Sequence, residues 1–210
     1  MKRYQSGFTL IEIAIVLVII GLLLGGVLKG QELITQAKVK NVANDFNAVS
    51  VGVLGYQDRY KRLPGDDGTV QTRWGASAPV GTGGTVNDGQ ISGNYDAPTT
   101  STTESNAFWA HLRLAGFIGG DTSTATEAIK QPLNAVGGIL GVQGGVTGLA
   151  GHSVCSTNLS GKIANAIDSQ FDDGKPNSGS VRGFEDTGLT TQATSYLDES
   201  SSLYVVCRTL

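Results

Sequence analysis

Histidine, cysteine and basic charge are all scarce in this 210-residue chain. Two histidines and two cysteines are too few for most zinc or iron–sulfur frameworks, which need four ligands at recognisable spacings. Lysine and arginine number 15 against 18 acidic residues, a formal charge of −3, which leaves no basic footprint for nucleic acid. Only 16 % of residues are charged and only five are proline. Glycine reaches 30, and with so much serine and threonine that composition alone points towards disorder. The apolar residues, 40 % of the chain, are too unevenly placed for that reading. The length suits one ordinary domain with an appendage, or two small domains.

The unevenness begins at the front. From Phe8 to Leu28 only Thr9 and Glu12 are polar, and Ile13 to Leu28 holds no polar side chain. A helix of that length spans about 30 Å, the thickness of a bilayer core. A chain this short could hardly bury such a helix in a soluble core. Lys2 and Arg3 lie in a polar leader, residues 1–7, which ends in Gly7 ahead of the apolar run. No small-residue cut site follows that run, so an ordinary secretory signal is not indicated. Lys29, Lys38 and Lys40 flank the far end, so charge bias leaves the orientation open. Glu12 costs about 3 kcal/mol in an apolar span unless it is paired or sits solvated at headgroup level.

Gly7-Phe8-Thr9-Leu10-Ile11-Glu12, between a short basic leader and an unbroken apolar run, resembles the class III signal of type IV prepilins and pseudopilins. The resemblance implies cleavage between Gly7 and Phe8 by a membrane-embedded prepilin peptidase on the cytoplasmic side, then N-methylation of Phe8. It also orients the helix, with the leader cytoplasmic and the remainder periplasmic. In a filament, Glu12 is expected to pair with the free amino group of Phe8 on a neighbouring subunit, where an apolar bundle screens the attraction poorly. Loss of the leader removes Lys2 and Arg3, two positive charges, so −3 becomes −5.

Beyond Leu28 the pattern becomes amphipathic without a turn signal. Val39, Val42, Phe46, Val49, Val53, Tyr56 and Tyr60 advance in steps of three and four, the stripe of a helix packed on one side. Pro64-Gly65 ends it, which predicts one helix from Phe8 to Arg62. The expected organisation is a leader (1–7), a membrane and filament-core helix (8–28), its amphipathic continuation (29–63) and a globular head (64–210). Gly21, Gly25, Gly26 and Gly30 lie in or beside the apolar run. They allow close helix approach, or local melting near Gly25-Gly26 on assembly. Many pilins carry a helix-bending proline near there; this chain has Lys29 instead.

Residues 65–105 read as a long loop, with short strands around Val80 and Ile91, or as disorder. Asn106 is the expected cap of a short helix bearing Phe108, Leu112 and Ala115 on one face, stopped at Gly116. Gly137 to Gly151 fits either strands or a tight glycine-rich bend. Ile163, Ile167 and Phe171 mark another short helix, and Leu203 to Cys207 a terminal strand. The fold expected is α+β and type IV pilin-like: a long N-terminal helix on a head with a small antiparallel sheet, the sheet inferred partly from the resemblance.

Cys155 and Cys207 both fall on the side that the resemblance places in an oxidising compartment, which favours a disulfide, as do similar pairs in many pilins. Asp66-Asp67-Gly68 and Asp172-Asp173-Gly174 set paired carboxylates beside turns; they suit calcium, held in the heads of some major pseudopilins, or are plain turn signals.

No catalytic constellation emerges. Gly151-His152-Ser153-Val154-Cys155 lacks the second glycine of a nucleophile elbow. Gly161-Lys162 lacks Walker spacing, no GxGxxG occurs, and His111 lies in the short aromatic helix. The reading is a non-enzymatic filament subunit, stored in the inner membrane with its head in the periplasm and polymerised with copies of itself or other pilins. The partners implied are the peptidase, a platform protein, an assembly ATPase and, before assembly, the lipid bilayer. Two other uses fit the resemblance: a pseudopilin of a type II secretion system, or a minor tip pilin acting as adhesin. Arg62-Leu63-Pro64-Gly65-Asp66-Asp67 after the helix differs from major pseudopilins and mildly favours a pilus or a minor pilin-like subunit.

Overall fold

The computed structural model describes residues 9–185, 188–198 and 202–210. The elements are α1 (Leu10–Tyr60), α2 (Val70–Trp74), α3 (Glu104–Leu114), α4 (Ala125–Ala128), β1 (Leu140–Gly144), β2 (His152–Ser160), α5 (Gly161–Phe171), β3 (Val181–Phe184) and β4 (Leu203–Thr209). The chain divides into two compact units, Met1–Ala37 and Lys38–Leu210, and α1 contributes to both.

In the second unit the predicted stripe is the buried one. Val42, Phe46, Val49, Val53 and Tyr56 are all buried, and Val39 and Tyr60 pack at the edge of the same cluster. They meet Phe108, Trp109 and Leu112 of α3, Val142 and Val154 of the sheet, and Ile163 and Ile167 of α5. The amide of Lys61 still bonds the carbonyl of Gln57, but Lys61 itself turns left-handed (φ 55°). The helix thus stops at Tyr60, short of the expected Arg62 and four residues before Pro64, which lacks the N–H to continue it.

The sheet has order β1-β2-β4-β3, all antiparallel. Alternation along β2 and β4 sends Val154 and Val206 into the α1 core and Cys155, Val205 and Cys207 to the opposite face. That second face is closed by Tyr95, Val146, Phe184 and Leu189. The glycine-rich segment 137–151 resolves into strand β1 and a turn. At Gly141 a Cβ would lie 2.0 Å from the carbonyl oxygen of Tyr95, so only glycine lets the loop cross β1 this closely.

Two expectations need correction. Asn106 does not cap α3; it lies within the helix, and Thr103 precedes the first turn. Strands do not form around Val80 or Ile91; α2 and one isolated bridge, Thr82 to Thr103, are what the loop contains. Its polar backbone is satisfied instead by buried side chains. Asn106 Nδ2 donates to the carbonyls of Pro98 (2.9 Å) and Ser101 (2.8 Å), and Glu104 accepts from the amide of Ser92 (2.7 Å). A loop tied this way needs no ladder and no hydrophobic period.

Candidate assembly surface

The first part of α1 buries none of its apolar residues in the chain's own fold. Leu10, Leu22 and Leu28 are 88 %, 74 % and 66 % exposed, and the whole membrane-length window is unburied. By length and composition this helix can cross a membrane. An exposed apolar surface this continuous is unstable in water and requires lipid or another helix against it.

Its start is built from two residues. The Thr9 amide and the Thr9 hydroxyl both donate to Glu12 Oε2, each at 2.8 Å, and the Glu12 amide donates back to Thr9 Oγ1 at 3.3 Å. This is a reciprocal capping box, with Thr9 as the cap and Glu12 in the third helical position. The spacing Thr-x-x-Glu ahead of an apolar run is the sequence signature of this box. Gly7 and Phe8, the expected cleavage and methylation positions, lie outside the described residues.

The four glycines of the run are all helical, Gly25 and Gly26 included, and a Cβ at any of them meets nothing within 4 Å. Their spacing makes two consecutive small-xxx-small patterns, Gly21 to Gly25 and Gly26 to Gly30, the kind that lets helix backbones approach closely in lipid. Lys29, which continues the helix, pairs with Glu32 at 2.8 Å on the exposed surface. Such a pair contributes at most about 1 kcal/mol.

In the head, the acidic candidates part company. Asp66 accepts from the amides of Asp88 (3.2 Å) and Gly89 (2.7 Å). Asp67 is fully buried, paired with Arg73 and bonded by the Tyr56 hydroxyl (2.8 Å) and by Thr69. Burial works against the charge of Asp67, but these bonds outweigh it and hold the carboxyl below its ordinary range. Asp67 therefore fastens the loop to α1 through Tyr56, while Asp66 ties the loop to itself. Asp172 and Asp173 come together with Asp168, their oxygens within 4.8 Å of one another. Each already accepts hydrogen bonds: Asp168 from Tyr196 and Gly174, Asp172 from Ser180 and Val181, Asp173 from Lys175 and Ser178. These oxygens have the chemistry of a hard-cation donor set, but those bonds make them the closure of the turn after α5.

Cys155 and Cys207 form a disulfide. They are direct cross-strand partners, with Cα atoms 4.0 Å apart, and both are fully buried.

The fragments that superficially suggested catalysis dissolve. The segment from His152 to Cys155 is strand β2, in which Ser153 is fully buried and Cys155 is oxidised. His111 is fully buried; its Nδ1 accepts from the Gly65 amide and its Nε2–H donates to the Pro79 carbonyl, both at 2.8 Å. Burial pushes this imidazole down to about 4, so it is neutral at pH 7 and serves as a clamp between α3 and the loop.

Residues 2–28 match the family described as the prokaryotic N-terminal methylation motif, the signature of type IV pilins and pseudopilins. Comparison with characterised proteins and with solved structures gives no match. The match and the long apolar helix fit a membrane-anchored, pilin-like protein, and the motif points to a structural rather than an enzymatic one.

Proposed function

We propose that this chain is the structural subunit of a type IV pilus-like filament. It is inserted in the inner membrane through residues 8–28, with the head, 64–210, carried in the periplasm on the continuation 29–63. A prepilin peptidase removes residues 1–7 after Gly7 and methylates Phe8. A platform protein and an assembly ATPase then draw the apolar helix out of lipid into a bundle of its own kind.

The observation that carries this reading is the coincidence of the methylation motif at residues 2–28 with a helix that leaves its apolar side chains uncovered. Hydrophobic burial is worth about 25 cal/mol per Å², so transfer from lipid to a helical bundle costs little only if neighbours replace the acyl chains side for side. Glu12 sets the axial register: its carboxylate meets the Phe8 amine of a neighbour, and any other register leaves a charge unpaired in an apolar surrounding. The capping box supports this role, because only Oε2 of Glu12 is used by Thr9.

Mass spectrometry of the mature N-terminus tests the processing. The chain isolated from membranes with active peptidase is expected to begin at Phe8 and to carry the mass of one additional methylene. An intact Met1 in those membranes overturns it. Pseudopilins share the motif, so a short secretion filament is the second reading. Imaging sheared surface fibres against periplasmic ones separates the two.

A further inference from the structure

The head-bearing part of α1 has two unlike flanks that the fold itself leaves unmatched. On one, Lys40, Asn44, Asn47, Val51 and Leu54 follow helical spacing and all are exposed, Val51 at 68 % and Leu54 at 65 %, although the side chain of Asn47 accepts from Arg208 at 3.1 Å. On the other, Asp45 opens into a groove of roughly 320 Å³ lined by Ala48, Trp109, Phe117, Ile118 and Leu140. Neither Lys40 nor Asp45 has a side-chain hydrogen bond or ion pair among the described residues. The two residues stand five apart, about 140° around the helix, so they face away from one another and cannot pair within one copy.

From this geometry we infer a specific contact between copies, resting on the filament reading above: the Lys40–Val51–Leu54 flank of one subunit docks against the Asp45 groove of the next. Patches that differ on opposite sides of one chain make a heterologous, head-to-tail interface, the kind that propagates into a helical fibre. Charge complementarity names the occupant. A carboxylate in an aromatic and aliphatic groove selects a cation on an apolar stem, and Lys40 supplies it, on the same flank as Val51 and Leu54, which follow about 16 and 21 Å further along the helix. Burial raises the Asp45 carboxyl above its ordinary range, the mark of an acid whose partner is missing.

Lys40 precedes Asp45 by five residues, about 7.5 Å of helix, so a parallel neighbour displaced by that step brings the cation level with the anion. With Lys40 level with Asp45, Val51 comes level with Tyr56, one residue past Gly55, whose Cβ position lies 2.5 Å from the Phe117 ring. The apolar part of the flank therefore arrives at the apolar end of the groove.

Charge exchange in the full-length chain tests the contact, with filament yield as the readout. Lys40→Glu and Asp45→Lys are each expected to lower yield about tenfold or more, and the double exchange to restore it to within about threefold of wild type. Independently, a chain carrying both Lys40→Cys and Asp45→Cys should form a covalent ladder on oxidation of its filaments, while either single cysteine gives none. The native cysteines do not interfere, since both are buried in their own disulfide. A double exchange no better than the worse single variant, with Cys155–Cys207 formed normally, overturns the contact. So do filaments of the double-cysteine chain that yield no ladder. A correctly processed wild-type chain that makes no filaments overturns the filament reading itself.

Discussion

Glu12 bonds Thr9 through a single carboxylate oxygen, Oε2, which accepts from both the amide and the hydroxyl of the threonine at 2.8 Å. The local role at the start of the helix is thus distinct from the intermolecular one proposed for the charge of Glu12. They separate by substitution. Glu12→Gln keeps an acceptor at the capping position and removes the charge; Glu12→Ala removes both. Loss of a cap costs about 1 kcal/mol of local helix stability, far too little to prevent insertion of a helix this apolar. Both variants are expected to accumulate in the membrane, and both to give few filaments. Immunoblots of membrane and sheared fractions measure the two quantities, and filaments from Glu12→Gln at wild-type number and length would remove the charge from the mechanism.

The glycines admit an equally clean division. A Cβ at Gly25 or Gly26 meets nothing in the isolated chain, and alanine favours helix over glycine by about 1 kcal/mol per residue. If assembly needs the helix to melt there, the pair Gly25→Ala and Gly26→Ala stiffens it and lowers filament yield. If assembly needs close approach of backbones, those alanines are tolerated and Gly25→Leu is not. The unbroken helix and the paired small-xxx-small spacing support the second outcome. Filament counts for the alanine pair beside Gly25→Leu decide between them, with membrane accumulation as the control for insertion.

The disulfide pins the last strand to the centre of the sheet. It closes a span of 52 residues between two fully buried partners. Cross-linking a loop of that size stabilises by about 2–4 kcal/mol. Cys155→Ser is expected to lose that amount and to leave a hydroxyl among Tyr95, Phe184 and Val205 without a partner of its own. Denaturant midpoints of the full chain in detergent, with and without reductant, measure it. A reduced wild type as stable as the oxidised one would show that the second face of the sheet holds without the bond.

Where the hydrophobic period was strong, the fold was readable in advance. The stripe from Val39 to Tyr60, the short helix around Ile163 and Ile167 and the strand from Leu203 all stand where their spacing placed them. The pairing of Cys155 with Cys207 was readable as well, from the even count and the compartment that the resemblance implies. Strand β2 was obscured because His152, Ser153 and Ser156 interrupt its apolar alternation, although Ser153 and Ser156 are as buried as their neighbours. The loop from Gly65 to Thr103 was unreadable for a different reason. It is ordered by single polar side chains, Asn106, Glu104 and His111, whose bonds span anything from 5 to 46 residues, and bonds of that kind leave no periodic trace. Of the assembly surface, the apolar run and Glu12 were evident at once, while the Asp45 groove needed α3 and its following turn folded against α1 before it existed.

His111 gives the head a pH dependence whose sign follows from its burial. The folded imidazole titrates at about 4, against an ordinary value of 6.5 in the unfolded chain. Between those values the unfolded state binds the extra proton, so stability falls as pH falls. The contribution is complete above about pH 6.5 and is lost progressively as the pH drops towards 4, amounting to about 3 kcal/mol. Protonation would also convert Nδ1 from acceptor to donor and set it against the Gly65 amide, which it now accepts from at 2.8 Å. The loop should therefore loosen first at its Gly65 and Pro79 anchors. Hydrogen exchange of the Gly65 amide at pH 7 and pH 5 is expected to show faster opening at the lower pH, beyond the intrinsic effect of pH on exchange. His111→Gln, which cannot take up a proton, should unfold more easily at pH 7 but with a flatter dependence from pH 6.5 to 4. A wild-type denaturation midpoint constant across that window would show that the imidazole stays paired and neutral in the unfolded ensemble too.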